Sequence, residues 1–190
     1  LGENIKCGNS LIGPDYFAGQ VMPDEQEMRR VNPFDWRREF PAAMAVGGFD
    51  AVIGNPPYVR PHHIDPEAKE YFWRHYSTFV KKSDLYCCFI ERSVSLLRQG
   101  GLFGYIVSNG WLRLDSFEEL RTFLIDRTSL RTIIDFTDNV FDRATVKTAI
   151  VVFSKGKSRS QMVEVTSTDA TPDLASLEFK TLRQASFRDT

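Results

Sequence analysis

No apolar run in this 190-residue chain approaches the roughly 20 residues that a membrane-spanning helix needs. Residues Leu1 to Lys6 are neither basic-then-apolar nor followed by a small-residue cleavage site, so no secretory signal is expected. Cysteine is scarce. Cys7, Cys87 and Cys88 have no zinc-type spacing, and the adjacent pair makes a poor disulfide framework. They read as buried small hydrophobes in a reducing cytosol. The histidines His62, His63 and His75 have no partner set for a metal, so no metal is expected. They read as surface residues or contacts to a nucleic-acid backbone. Net charge of one sign is also missing: the formal value of −1 argues against a freestanding, non-specific nucleic-acid binder. Repeats and low-complexity tracts are absent.

What remains is the composition of an ordinary globular domain, 42% hydrophobic and 26% charged, in a chain long enough to bury one sizeable core. Local charge is less even than the total. Arg60, His62, His63, Lys69, Arg74, His75, Lys81 and Lys82 crowd one stretch, diluted by Asp65, Glu67 and Glu70. Taken alone, that stretch reads as a solvated face.

Periodicity predicts alternating strands and helices. A short strand is expected at Asn4–Cys7, a weak helix at Glu25–Arg30 and a helix at Trp36–Ala45 closed by Gly47-Gly48. Phe49–Ile53 reads as a buried strand stopped by Gly54-Asn55-Pro56-Pro57. Some helix is expected near Pro66–Tyr76. A better one, capped by Ser83 or Asp84, should run to about Arg98 and end at Gly100-Gly101. Leu102–Val107, Leu130–Phe136 and Thr145–Phe153 read as further strands. Ser116 with Glu119 forms a capping box for a helix reaching about Arg127. The fold class is therefore α/β, a mostly parallel sheet covered on both faces. Only Thr137–Ala144 separates the last two of these strands, too short for a helical crossover, so they should be antiparallel. Past Lys155 the text turns polar and predicts a strand or two leading out of the domain.

The sharp feature is Asn55-Pro56-Pro57-Tyr58, directly after a strand, where open α/β sheets bind ligands. Two prolines fix φ, force extended geometry on the residues before them and supply no N–H. The Asn55 side-chain oxygen and the Pro56 carbonyl can both accept from one exocyclic amino group. Tyr58 offers a flat face to a planar ring. The set is a cage for a planar, amino-bearing substrate.

Phe49–Tyr58 resembles motif IV of amino-methyltransferases that use S-adenosylmethionine. Asn4–Gly13 resembles motif III of the large methyltransferases of type IIG restriction-modification and phage-defence systems. Ser83–Tyr86 with Phe89-Ile90-Glu91, Gly104–Leu112, Ile133–Phe141 and Phe141–Lys155 resemble motifs V to VIII in order. The resemblance implies a Rossmann-like, S-adenosylmethionine-dependent methyltransferase fold with an antiparallel last strand. It implies an adenine-specific (N6) DNA methyltransferase acting on double-stranded DNA in a bacterial or archaeal cytoplasm. Residues 1–155 would be the catalytic portion, and 156–190 an exit toward a target-recognition region.

The resemblance also assigns roles. Asn55, Pro56, Pro57 and Tyr58 would hold a flipped adenine, with Phe141 stacking opposite Tyr58. Asn9, where the family often has Asp, would edge the donor pocket together with Asn55, Asp84 and Tyr86. The family's donor-binding motifs X, I and II precede motif III and are not in this sequence, so the first strands of the sheet should be missing. The isolated chain should bind the donor weakly and be inactive. Two other readings stay open: a release-factor-type glutamine methyltransferase, which shares the Asn-Pro-Pro-Tyr turn, and a folded but non-catalytic module.

Overall fold

A computed structural model describes residues 4–19, 24–141, 146–158, 161–169 and 173–188. Its helices are α1 (Glu25–Val31), α2 (Trp36–Glu39), α3 (Pro41–Ala45), α4 (Pro66–His75), α5 (Leu85–Leu96) and α6 (Glu118–Arg127). Its strands are β1 (Phe49–Gly54), β2 (Leu97–Ser108), β3 (Thr128–Phe136), β4 (Thr148–Lys155), β5 (Met162–Thr168) and β6 (Lys180–Arg183). They form one mixed sheet in the order β1-β2-β4-β3-β5-β6. β1 runs parallel to β2 and β3 parallel to β5, while β4 is antiparallel to both β2 and β3. Four of the six strands thus point one way, with β4 and β6 reversed.

The expected antiparallel pairing of β3 with β4 is present. β4 does not lie at an edge: it is wedged between β2 and β3, so both neighbours use its backbone groups. In that register Phe103 faces Phe153, and the two buried rings stack 4.1 Å apart at the centre of the core. α5 and α6 contribute Tyr86, Ile90, Leu120 and Leu124 to the same cluster. A second cluster packs Leu11 and Ile12 against Tyr71, Phe72, Tyr76 and Phe79. The Leu11 carbonyl accepts from the Tyr76 hydroxyl at 2.6 Å and from Arg92 at 3.2 Å, which pins the N-terminal segment to α4 and α5.

Several local expectations are corrected. Asn4–Cys7 is not a strand; only an isolated bridge joins Asn9 to Pro33. A ladder needs donors on both sides, and Pro33 has none. The helix over Trp36–Ala45 is two, because Pro41 bars its predecessor Phe40 from helical geometry. Gly100-Gly101 does not end α5. It lies within β2, where the register jumps from Leu97 opposite Phe49 to Leu102 opposite Ala51, and Gly100 takes φ +76°. Ser116 forms no capping box: a 3-10 turn over Asp115–Phe117 leads into α6, and buried Phe117 occupies the cap position without a side-chain cap.

β1 is also less buried than a continuous apolar run predicts. Ala51 is exposed and Ile53 is 90% exposed, because β2 is the only strand beside β1 among the described residues. Beyond Lys155 the strands expected there are present and join the same sheet. β5 and β6 extend it, and the Gln184 side chain accepts from the Leu130 amide and donates to the Ile125 and Thr128 carbonyls.

Candidate active site

β1 delivers the Asn-Pro-Pro-Tyr turn to the carboxyl end of the sheet. Pro56 is buried, Asn55 and Pro57 are exposed, and Tyr58 is half-buried. The Tyr58 hydroxyl lies 3.2 Å from Asn55 Oδ1 and 3.2 Å from the Ile106 carbonyl on β2. One hydroxyl hydrogen serves two acceptors, so it ties the Asn55 carboxamide to the neighbouring strand. Burial, and then the nearby Asp84 charge, hold the Tyr58 pKa above the ordinary phenol value, which keeps it a donor at neutral pH.

Behind Tyr58 the rings continue inward. Tyr58 meets Tyr86 edge-on at 6.2 Å, and Tyr86 stacks on Phe117 at 5.6 Å. Tyr86, assigned to the donor pocket by resemblance, has no exposed surface and serves as a wall behind Tyr58. Asp84 stands at the N-cap position of α5, but its carboxylate makes no cap bond there. Instead its Oδ1 accepts from the Val59 amide at 2.9 Å, while the Leu85 amide donates to the Val59 carbonyl at 2.9 Å. The residue following Tyr58 is thereby clamped on both polar groups to the start of α5. Burial raises the Asp84 pKa, partly offset by backbone amides that favour the charged form.

Asn9 is half-buried, and its Oδ1 accepts from the Leu11 amide at 3.2 Å. Of the four residues assigned to the donor, then, only Asn55 is exposed with its carboxamide at the strand exit. The other three are taken up by the bonds and packing just described. Phe141 is 39% exposed. A cavity of about 130 Å³ opens beside Tyr58, lined by Arg60, Lys82, Asp84, Leu114 and Val146 among others, and Phe141 is not part of its lining. The other half of the loop between β3 and β4, residues 142–145, lies outside the described residues.

Sequence reasoning missed the support on the far side of this cavity. Asp135, 5% exposed at the end of β3, accepts from Asn109 Nδ2 at 2.7 Å and from Arg113 Nη2 at 2.6 Å. Buried Arg121 donates to the carbonyls of Trp111 and Leu114, both at 2.9 Å. The turn 109–114 is held from two sides. The signal was there to read: an aspartate inside the apolar run Ile133-Ile134-Asp135-Phe136 demands a partner.

The histidines sit elsewhere. His62 and His63 pack on each other at 4.0 Å, and His75 stacks on Tyr71 at 3.9 Å with its Nε2 2.9 Å from Asp15. No group of metal-holding side chains occurs among the described residues. Nor is any of their helices long and apolar enough to cross a membrane. Cys87 and Cys88 are buried as expected, whereas Cys7 is exposed.

This mixed α/β sheet, with a reversed strand inserted between forward ones, is the fold shared with S-adenosylmethionine-dependent methyltransferases of known structure. The methyltransferase subunit of a type I restriction-modification system from Streptococcus thermophilus superposes on 70% of the chain with a TM-score of 0.51, at 20% identity and 28% of its own length. The DrdV–DNA complex covers 98% of this chain and 21% of its own, with a TM-score of 0.64 at 17% identity. Residues 2–141 match the Eco57I restriction-modification methylase family, and the chain belongs to it. The type II restriction enzyme and methyltransferase RM.Eco57I of Escherichia coli is 32% identical over 159 residues, 82% of this chain. The type II methyltransferase M.TthHB8I of Thermus thermophilus is 38% identical over 115 residues, 57% of this chain. The chain spans 15% and 26% of the lengths of these two relatives.

Proposed function

We propose that this chain forms the target-base side of an adenine-specific DNA methyltransferase in a restriction-modification or phage-defence system, with S-adenosylmethionine as methyl donor. The observation that carries the reading is Asn55 at a strand exit, its Oδ1 held by the hydroxyl of Tyr58. A flipped adenine would present its amino group to Asn55 Oδ1 and the Pro56 carbonyl and its ring to the face of Tyr58. Accepting from the amino hydrogens returns electron density to the nitrogen and aims its lone pair. No strong general base is required, because the methylated nitrogen's extra proton is acidic enough to pass to water. Rate then comes mainly from positioning. Membership of a restriction-modification methylase family supports DNA adenine over a protein glutamine as the amino-bearing substrate.

The test is Asn55→Ala in the complete gene product. The side chain is exposed and serves no core contact, so the melting temperature should stay at the wild-type value. Methyl incorporation into adenine should fall about a hundredfold or more, corresponding to roughly 3 kcal/mol at the reacting atom. Near wild-type methylation by this variant removes the basis of the reading.

A further inference from the structure

The basic stretch between Arg60 and Lys82 reads in sequence as a solvated face, yet the fold gathers its two ends at one place. Arg60 and Lys82 both line the cavity beside Tyr58, although 22 positions separate them. Each sits on backbone that is tied down. Arg60 follows Val59, whose amide and carbonyl are bonded to Asp84 and Leu85. Lys82 precedes Ser83, whose hydroxyl and amide both bond back to Val80. Both side chains are exposed, and neither makes an ion pair among the described residues. Among the described lining residues the single carboxylate is Asp84, which accepts from the Val59 amide and also interacts electrostatically with Arg60. Two cations against one carboxylate leave the described part of the cavity mouth net positive in a chain whose total charge is −1.

We propose that Arg60 and Lys82 form a two-pronged phosphate clamp that grips the DNA backbone on either side of the nucleotide whose base enters the cavity against Tyr58. Turning a nucleotide out of a duplex swings its phosphates with it, and each must be held while the base is stacked and paired. An Arg and a Lys at the pocket mouth supply that hold as a fork and a point charge. The clamp rests on the proposed adenine methylation. It makes Arg60 and Lys82 positioning residues, with no part at the reacting nitrogen.

The experiment uses the complete gene product and measures affinity for a duplex carrying its target site as a function of salt. Neutralising one phosphate contact removes about 0.9 from the slope of log K against log salt. Arg60→Ala and Lys82→Ala should each flatten the slope by about that much, and the double variant by about twice as much. KM for DNA should rise, with kcat at saturating DNA nearly unchanged. Arg60→Lys should restore the slope. The charge-neutral Asn55→Ala should keep the wild-type slope while losing methylation. A double variant with the wild-type slope, in an enzyme that still methylates adenine, overturns the clamp and leaves the function standing. A wild-type protein that neither binds nor methylates DNA overturns the function itself, and the clamp with it.

Discussion

The hydroxyl of Tyr58 stands 3.2 Å from Oδ1 of Asn55, so the residue proposed to stack on a base also holds the proposed acceptor of its amino group. The same hydroxyl reaches the Ile106 carbonyl and anchors the pair to β2. Tyr58→Phe keeps the ring and removes both links. A neutral hydrogen bond contributes about 0.5–1.5 kcal/mol, so kcat should fall by up to about tenfold. Tyr58→Ala should in addition weaken capture of the base by roughly 1–3 kcal/mol. Single-turnover methylation rates for the two variants separate the roles. Equal rates for Tyr58→Phe and wild type would leave stacking as the whole function of Tyr58.

Asp84 is a half-buried carboxylate whose pKa is raised in the folded protein. A raised folded pKa means that its contribution to stability is fully present below the unfolded pKa of about 3.9 and is lost as pH rises through the folded value. Asp84→Asn keeps an oxygen to accept from the Val59 amide and cannot ionise. The variant's melting temperature should therefore gain on wild type as pH is raised from about 4 toward neutrality, then hold a constant lead. A lead that shrinks with rising pH would show that the ionised carboxylate stabilises the clamp.

Asp135 serves the opposite wall. Its carboxylate holds Asn109 and Arg113 from within the sheet, at the root of the turn 109–114. Asp135→Ala strands two donors and removes one of the two long-range side-chain supports of the turn, a loss of about 1–3 kcal/mol for a hydrogen bond to a charged group. Amide hydrogens of residues 109–114 should exchange faster in the variant, while those of β2 and β4 keep their protection. Unchanged exchange in the turn would assign its order to Arg121.

The cysteines divide by burial. Burial pushes the Cys87 and Cys88 thiols far above the ordinary range, whereas Cys7 is exposed. A thiol reagent should label one cysteine per chain in the native state and three after denaturation. Native labelling of α5 would show that this helix opens readily.

The helices expected at Glu25–Arg30 and near Pro66–Tyr76 form as α1 and α4, because a cap and a proline act within a few residues of themselves. The Asn-Pro-Pro-Tyr turn was legible for the same reason: proline sets its own φ and its predecessor's geometry wherever it stands. So was the reversal between β3 and β4: the expected connection of eight residues, Thr137–Ala144, and the eleven that separate the strands in the structure are both too short for a helical crossover.

The sequence by itself thus determined the approximate places of β1 to β4 and of α1, α4, α5 and α6, the turn that carries Asn55 and Tyr58, and the direction of β4. Tertiary structure alone decided that β4 is inserted between β2 and β3, that Ile53 stands in solvent, and that Arg60 meets Lys82 at one cavity. It also decided that Asp84 holds Val59 from 25 positions away and that Tyr58 reaches Ile106 from 48. Backbone propensity reaches a few residues along the chain. Contacts at these separations exist only once the sheet and α5 have packed and the buried polar groups have had to find partners.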